Sequence, residues 1–81
     1  MKADKIKKEL NLIFRDVFDD KKLNINNKTN AKSIKRWDSF MQMNLILSIE
    51  SKFKLSLSSR EIEKLKNVGD MISLLDNKLN A

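Results

Sequence analysis

Apolar residues between Ala3 and Phe18 recur at the three- and four-residue spacing of an amphipathic helix. They are Ile6, Leu10, Ile13, Phe14 and Val17. Polar and charged residues occupy the other faces of the same segment. The pattern therefore predicts a first helix over residues 3–18.

Residues 19–37 show no sustained period and are dominated by Asn and Lys. A stretch this long without regular structure is uncommon in a compact domain, where it is usually functional or disordered. Its isolated apolar residues, Leu23, Ile25, Ile34 and Trp37, predict a loop pinned to the helices at several points. We expect this loop to bring the chain back along the first helix. No internal repeat is evident.

Capping residues mark the starts of three further helices. Asp38 is a good N-cap, so a second helix is expected to open at Ser39 and to run to about Lys52. The S-x-x-E spacing from Ser58 to Glu61 is a capping box and predicts a short third helix.

A fourth helix is predicted where Asn67 can serve as N-cap and Asp70 lies three residues later. Its apolar stripe is Val68, Met71, Ile72, Leu75 and Leu79. With no Pro, one Gly and no strong strand alternation, the predicted fold is all-α. We expect a four-helix bundle with a long loop between helices one and two and a short helix three.

The second helix carries two apolar stripes where a small bundle needs only one. On a wheel of about 100° per residue, the first stripe contains Leu45, Ile46, Ile49 and Phe53. The second contains Phe40, Met43 and Leu47 and lies on a different face. Either the long loop buries this second stripe, or it stays partly exposed and receives partner proteins. The sequence leaves both alternatives open.

Composition limits the chemistry that the chain can perform alone. Its 81 residues predict a single domain over residues 1–81. The absence of Cys excludes a disulfide framework and thiol catalysis, and the absence of His removes the usual proton shuttle and the commonest metal ligand. We expect a module on which other proteins act, not an enzyme, and no metal site.

The net charge of +6 lies entirely in the N-terminal part of the chain. Residues 1–37 hold eleven Lys and Arg against five Asp and Glu, whereas residues 38–81 hold six of each. A nucleic-acid-binding domain is one interpretation of this excess, but the charge is diffuse and no recognition motif accompanies it. No apolar run is long enough for a membrane span, and the N-terminus lacks a signal-peptide core. A cytoplasmic location is the expectation.

The segment from Trp37 to Leu75 resembles the acyl carrier protein family. Members carry an Asp-Ser-Leu motif whose serine is esterified with 4′-phosphopantetheine; this chain has Asp38-Ser39-Phe40 at the same place. The likeness extends through the "L-I-x-x-I-E-x-x-F" pattern of helix two, the short helix three and the V-G-D start of helix four. Together with helix one it covers essentially the whole chain.

The resemblance implies a role for each matching residue. Ser39 corresponds to the serine that bears the phosphopantetheine arm, and Asp38 to the aspartate that caps the helix and contributes to recognition by the transferase. The face that touches partner enzymes corresponds to Phe40, Met41, Met43, Asn44, Leu47 and Glu50. The implied partners are a phosphopantetheinyl transferase, an acyl- or aminoacyl-loading ligase and a downstream acyltransferase or synthase. The implied carrier is a monomer and binds no nucleic acid.

The chain also departs from the family pattern. Fatty-acid carriers are strongly acidic, and their second helix presents a row of Asp and Glu to basic enzyme surfaces. Here Met41 and Asn44 stand where acids are usual, which favours a specialised carrier over the housekeeping one. A carrier-like interaction module that has lost its arm is the alternative. Neither the cargo nor the pathway follows from the sequence.

Overall fold

The hydrophobic periodicity is realised as four α-helices in the computed structural model, which describes residues 2–80. They are α1 (Ala3–Val17), α2 (Ser39–Phe53), α3 (Ser59–Glu63) and α4 (Val68–Leu79). No strand occurs within these residues, so the predicted all-α fold with a long first loop and a short α3 is confirmed. None of the helices in residues 2–80 is long and apolar enough to cross a membrane. Met1 and Ala81, the ends of the expected domain, lie outside the described residues.

The predicted stripes of α1, α2 and α4 converge on one core. Each helix contributes four buried residues: Ile6, Leu10, Ile13 and Phe14 from α1; Leu45, Ile46, Ile49 and Phe53 from α2; Val68, Met71, Ile72 and Leu75 from α4. Val17 and Leu79, which end the predicted stripes of α1 and α4, are only partly buried. Helix α1 packs against both α2 and α4 and is the centre of the bundle.

Polar residues of α1 hold the long loop in place. The Asn11 Oδ1 atom accepts a hydrogen bond from the Ile25 N–H at 2.8 Å. The Arg15 guanidinium donates to the Leu23 carbonyl at 2.6 Å and to the Asn24 side chain at 2.7 Å. Ile25 and Trp37 are buried in the core, while Leu23 and Ile34 pack against its edge. The loop therefore runs back along α1, as predicted, with polar groups of the helix satisfying its backbone.

A short tandem repeat builds the middle of this loop, although no internal repeat was expected from the sequence. Asn26–Thr29 and Asn30–Ser33 both read N-x-K-[TS] and form the same turn. In each turn the Asn side chain accepts from the Lys N–H at 2.8 Å, and the hydroxyl of the last residue accepts from the Asn N–H. The abundance of Asn in this segment thus reflects side-chain-stabilised turns.

The first of these turns also caps α4. The Thr29 and Asn27 carbonyls accept from the Val68 and Gly69 N–H groups, both at 2.9 Å. A Cβ atom added at Gly69 would lie 3.0 Å from the Asn27 oxygen, which explains why glycine stands at this close approach. Asn67 caps the same helix through the Asp70 N–H at 2.8 Å, as predicted. The loop therefore joins α1 to the N-terminus of α4.

Helix α3 has no fully buried residue: Ile62 packs partly buried against the core, and polar contacts hold the start of the helix. The predicted capping box is present: Ser58 accepts from the Glu61 N–H at 3.2 Å, and Glu61 accepts from the Ser58 N–H at 2.9 Å. Glu61 also pairs with Lys78 of α4 at 3.1 Å. The hydrogen bond from the Ser58 N–H, followed by the contact with Lys78, lowers the pKa of Glu61 from its ordinary value of 4.5.

This lowered pKa predicts an acid-dependent loosening of α3. Because the folded state favours the ionised form of Glu61, its stabilising contribution is complete above pH 4.5 and is lost as the pH falls through the folded-state pKa. We expect faster amide hydrogen exchange at Ser58 and Glu61 in that range. Glu61→Gln should remove the pH dependence. Glu63→Gln, on the same helix, should keep it, and equal behaviour of the two variants would contradict the assignment.

Candidate functional site

The site lies at the N-terminus of α2. Asp38 has an extended backbone and is the N-cap, and its Oδ1 atom accepts from the Met41 N–H at 2.9 Å. The Asp38 carbonyl accepts the first helical bond, from the Gln42 N–H at 2.9 Å. Ser39 is thereby the first helical residue, and it is exposed. Its hydroxyl group is presented to solvent by a rigidly capped helix end.

Two N–H groups beside Ser39 are left without a protein acceptor. Within residues 2–80, neither the Ser39 nor the Phe40 N–H donates a hydrogen bond. At the start of α4, by contrast, the equivalent groups donate to loop carbonyls. Free N–H groups and the positive end of the helix dipole together favour an anion. A phosphodiester on the Ser39 oxygen would therefore lie where the backbone can stabilise it.

Trp37 fixes the chain immediately before the site. Its ring packs edge-on against Phe14 with centroids 5.3 Å apart, and it contacts Phe18 at 6.1 Å. Its Nε1 donates to the Gln42 Oε1 atom at 2.6 Å, which links the loop to the first turn of α2. The buried Trp37 thus precedes Asp38, and helix α2 follows it. Together they determine the position of Ser39.

An open pocket of about 400 Å³ adjoins Ser39. Three segments line it: loop residues Ala31 and Trp37, the α2 start with Asp38, Ser39 and Gln42, and Leu65 and Lys66 before α4. Its volume is at the small end of the range for ligand pockets. The exposed hydroxyl group, the free N–H groups and the adjoining space fit a phosphopantetheine arm.

The second apolar stripe of α2 stays exposed. Phe40, Met43 and Leu47 have 63, 56 and 57% of their surface accessible. The loop turns to the other side of the bundle, toward α1 and α4, and does not cover this face. Of the two alternatives left open by the sequence, the structure supports the exposed one. The stripe begins next to Ser39 and extends two turns along α2.

The other three residues predicted to contact partners are placed differently. Met41 is partly buried against the core, and the Asn44 amide lies 3.9 Å from the Met41 sulfur. Glu50 accepts a hydrogen bond from the Leu57 N–H at 2.9 Å and so holds the connection from α2 to α3. These residues border the exposed stripe, but the Glu50 carboxylate already has a structural contact.

A larger groove of about 610 Å³ lies between α1 and the loop. Its walls include Asp4, Lys7, Lys8, Asn11, Leu12, Arg15, Asn24 and Ile25. It contains none of the predicted site residues and shares no residue with the pocket at Ser39. Arg15 there is already bonded to the loop. The groove therefore places Lys7 and Lys8 beside Asp4, while the third basic residue, Arg15, is used to hold the loop.

Several residues that line the site were not predicted from the sequence. Trp37 was expected only to pin the loop, whereas it also lines the pocket beside Ser39. Gln42 is a polar residue of α2, and nothing in the sequence around it predicts that its side chain accepts a hydrogen bond from the Trp37 indole. Leu65 and Lys66 come from a segment that the apolar pattern left unassigned. Only the adjacency of Trp37 to Asp38 could have suggested its role.

Comparison with known proteins finds similarity among solved structures. No protein-family model matches the chain, and no curated protein does. Among solved structures, the chain is similar to the solution NMR structure of holo acyl carrier protein from Geobacter metallireducens. The two sequences are 45% identical, with a TM-score of 0.85, and the match covers 90% of this chain and 84% of the other.

The N-cap of α2 can be tested by separating two properties of Asp38: the hydrogen bond that its carboxylate accepts from the Met41 N–H and the negative charge that it carries. Asp38→Ala removes the acceptor of the Met41 N–H and should destabilise the protein by about 1 kcal/mol. Asp38→Asn keeps an acceptor and should lie within a few tenths of a kcal/mol of the original chain. Urea unfolding followed by circular dichroism measures both. Equal losses in the two variants would show that the charge, and not the cap, is what matters.

Proposed function

The chain belongs to the acyl carrier protein family, and from this premise we propose that it carries an acyl or aminoacyl group as a thioester on a 4′-phosphopantetheine arm attached to Ser39. Members of this family are carriers and not enzymes, so the chemistry is performed by the proteins that bind it. The observation that supports the proposal is the exposed Ser39 hydroxyl group at a capped helix start, beside two free N–H groups and an open pocket.

Attachment of the arm requires a partner enzyme. In this step the Ser39 oxygen bonds to the phosphorus that carries pantetheine in coenzyme A, the pyrophosphate P–O bond breaks, and 3′,5′-ADP leaves. The serine proton passes to a base on the phosphopantetheinyl transferase, because the carrier has no His to accept it. Asp38 holds the helix start in shape and forms part of the surface that the transferase recognises. Once attached, the arm supplies the thiol that this Cys-free chain lacks.

Contacts with partners are proposed to be mainly apolar, through Phe40, Met43 and Leu47 with Met41, Asn44 and Glu50 at the border. Both charged side chains of α2 are engaged within the molecule. Glu50 accepts from the Leu57 N–H, and Lys52 pairs with Glu9 at 3.1 Å. A surface with so little free charge steers charged partners weakly. This supports a specialised carrier served by its own loading ligase and acyltransferase or synthase.

The remaining features follow from the same proposal. We infer a monomer that forms a single domain over residues 1–81 and acts in the cytoplasm. Nucleic acid is not among its partners: the basic residues are spread over α1 and the loop, and Arg15 is bonded to that loop. The alternative, a carrier-like interaction module without an arm, shares the apolar stripe but has no need of the exposed serine.

Attachment is tested by mass spectrometry of the intact protein. Incubation with coenzyme A and a broad-specificity phosphopantetheinyl transferase should add the mass of one phosphopantetheinyl group. Ser39→Ala should abolish the gain, because Ser39 is the hydroxyl-bearing residue that follows Asp38 at the start of α2. Ser51→Ala, an exposed serine on the same helix, is the control and should be modified fully. An unchanged mass of the original chain, with an active transferase control, would favour the module without an arm.

The apolar stripe is tested with the same transferase. Leu47→Ala should raise the KM for the carrier about five-fold, the equivalent of about 1 kcal/mol, while leaving the melting temperature unchanged. Leu12→Ala is a matched control, because Leu12 on α1 is also 57% exposed but lies outside the stripe. Its KM should equal that of the original chain. Similar KM values for Leu47→Ala and Leu12→Ala would remove the stripe from the docking surface.

A further inference from the structure

The pocket beside Ser39 contains hydrogen-bond donors that the protein does not use. The Gln42 Oε1 atom accepts from the Trp37 Nε1–H at 2.6 Å, and because an indole can only donate, it is the amide oxygen that faces the ring. The Gln42 amide nitrogen, which shares this pocket, has no acceptor among residues 2–80. The Ser39 and Phe40 N–H groups are equally free there. Unused donors at a helix start favour a group that accepts hydrogen bonds, as a phosphodiester does.

Lys66 adds a positive charge to the same pocket. It lies in the segment between α3 and α4 and lines the pocket next to Leu65. Among the described residues of this lining, the other charged one is Asp38, whose Oδ1 atom accepts from the Met41 N–H. The two charges balance in the chain alone. A phosphodiester on Ser39 would add one negative charge, and Lys66 is the cation of the lining that can face it.

The Lys66 ammonium group is not engaged elsewhere in the described chain. Neither of the two ion pairs found within residues 2–80 involves Lys66, and its side chain donates no hydrogen bond there. Its backbone, by contrast, is fixed, because its N–H donates to Asp70 at 2.9 Å and the neighbouring Leu65 packs against the core. The flexible four-carbon stem of the lysine can therefore move its charge toward Ser39 from a fixed starting point.

We propose that Lys66 pairs with the phosphodiester that joins the arm to Ser39 and thereby holds the first atoms of the arm in this pocket. The inference rests on the proposed attachment at Ser39 and assigns a positioning residue to it. None of the stripe residues Phe40, Met43 and Leu47 lines the pocket. An arm held there by its phosphodiester therefore leaves the apolar stripe free for a partner enzyme.

Competitive acetylation of lysines with trace acetic anhydride, followed by proteolysis and mass spectrometry, tests the pair in the full-length protein. Attachment of the arm should slow acetylation of Lys66 about three-fold, the size expected of an exposed ion pair, because a paired ammonium group yields less of the neutral amine that reacts. Lys64 is the matched control: it is also exposed, lies two residues earlier and does not line the pocket. Its rate should be the same with and without the arm. Equal ratios of the two rates at Lys66 and Lys64 would overturn the inference.

Salt distinguishes an ion pair from simple shielding by the arm. At about 1 M salt the screening length falls to about 3 Å, so the protection of Lys66 should largely disappear. An arm that merely covers Lys66 would protect it at any ionic strength. Protection that persists in full at high salt would therefore contradict the pairing.

Three variants measure the same contact through stability. The melting temperature of the form with the arm, minus that of the form without it, should be about 2–4 °C lower in Lys66→Gln than in the original chain. Lys66→Arg keeps the charge and should keep the original difference, as should Lys64→Gln. Because each variant is compared with its own unmodified form, a change in its intrinsic stability cancels. The same difference in Lys66→Gln and Lys64→Gln would also overturn the pairing, and if a variant does not fold, the labelling of the original chain decides.

Failure of this inference differs from failure of the proposed function. A protein that gains no mass from coenzyme A has no arm, and both proposals then fall. A protein that is modified at Ser39 while Lys66 reacts as Lys64 does is a carrier whose arm is not held by Lys66. In that case attachment at Ser39 stands and only the positioning role of Lys66 is lost.

Discussion

Trp37 is part of the core and directly precedes Asp38 and Ser39, and its packing against Phe14 and Phe18 sets the position of the start of α2. The three rings belong to α1, its C-terminal cap and the last residues of the loop. Aromatic pairs of this kind contribute about 0.5–1.5 kcal/mol each beyond the area they bury. The bond from the indole to Gln42 then carries the constraint into α2. Asp38 and Ser39 are confined between these two anchors, so the N-cap and the free N–H groups depend on the aromatic contact.

The helices could be predicted from the sequence because their determinants are local. The stripe of α1, the N-caps Asp38 and Asn67 and the capping box at Ser58 all depend on neighbours within four residues. The loop could not be predicted in the same way. Its turns begin with Asn26 and Asn30, a pattern visible as a repeat, but its attachment to Asn11, Arg15 and Gly69 depends on residues distant in the chain. Those contacts exist only after the helices have packed.

The same distinction applies to the site. The motif around Ser39 and the two stripes of α2 were visible in the sequence, as was the prediction that one stripe joins the core. Which environment surrounds the second stripe depended on the path of the loop, and the loop lies on the opposite side of the bundle. Glu50 could not be assigned for a related reason: its partner, the Leu57 N–H, is positioned by the turn that follows α2. Local sequence patterns therefore identify the apolar faces of a helix, whereas tertiary contacts decide whether each face is buried or exposed.

The distribution of charge bears on how this carrier would be recognised under the proposed function. Its excess positive charge lies on α1 and the loop, whereas the face beside Ser39 is apolar and the charged groups of α2 contact other parts of the chain. An apolar stripe fits many hydrophobic grooves and discriminates poorly among them, since rejection usually needs an unpaired charge or a buried polar group. If the proposed function holds, selective recognition would therefore draw on features nearer Ser39 in addition to the stripe. The pocket beside Ser39, where polar groups of Asp38 and Gln42 adjoin the Trp37 indole, is the feature of this face that such a partner would distinguish by shape.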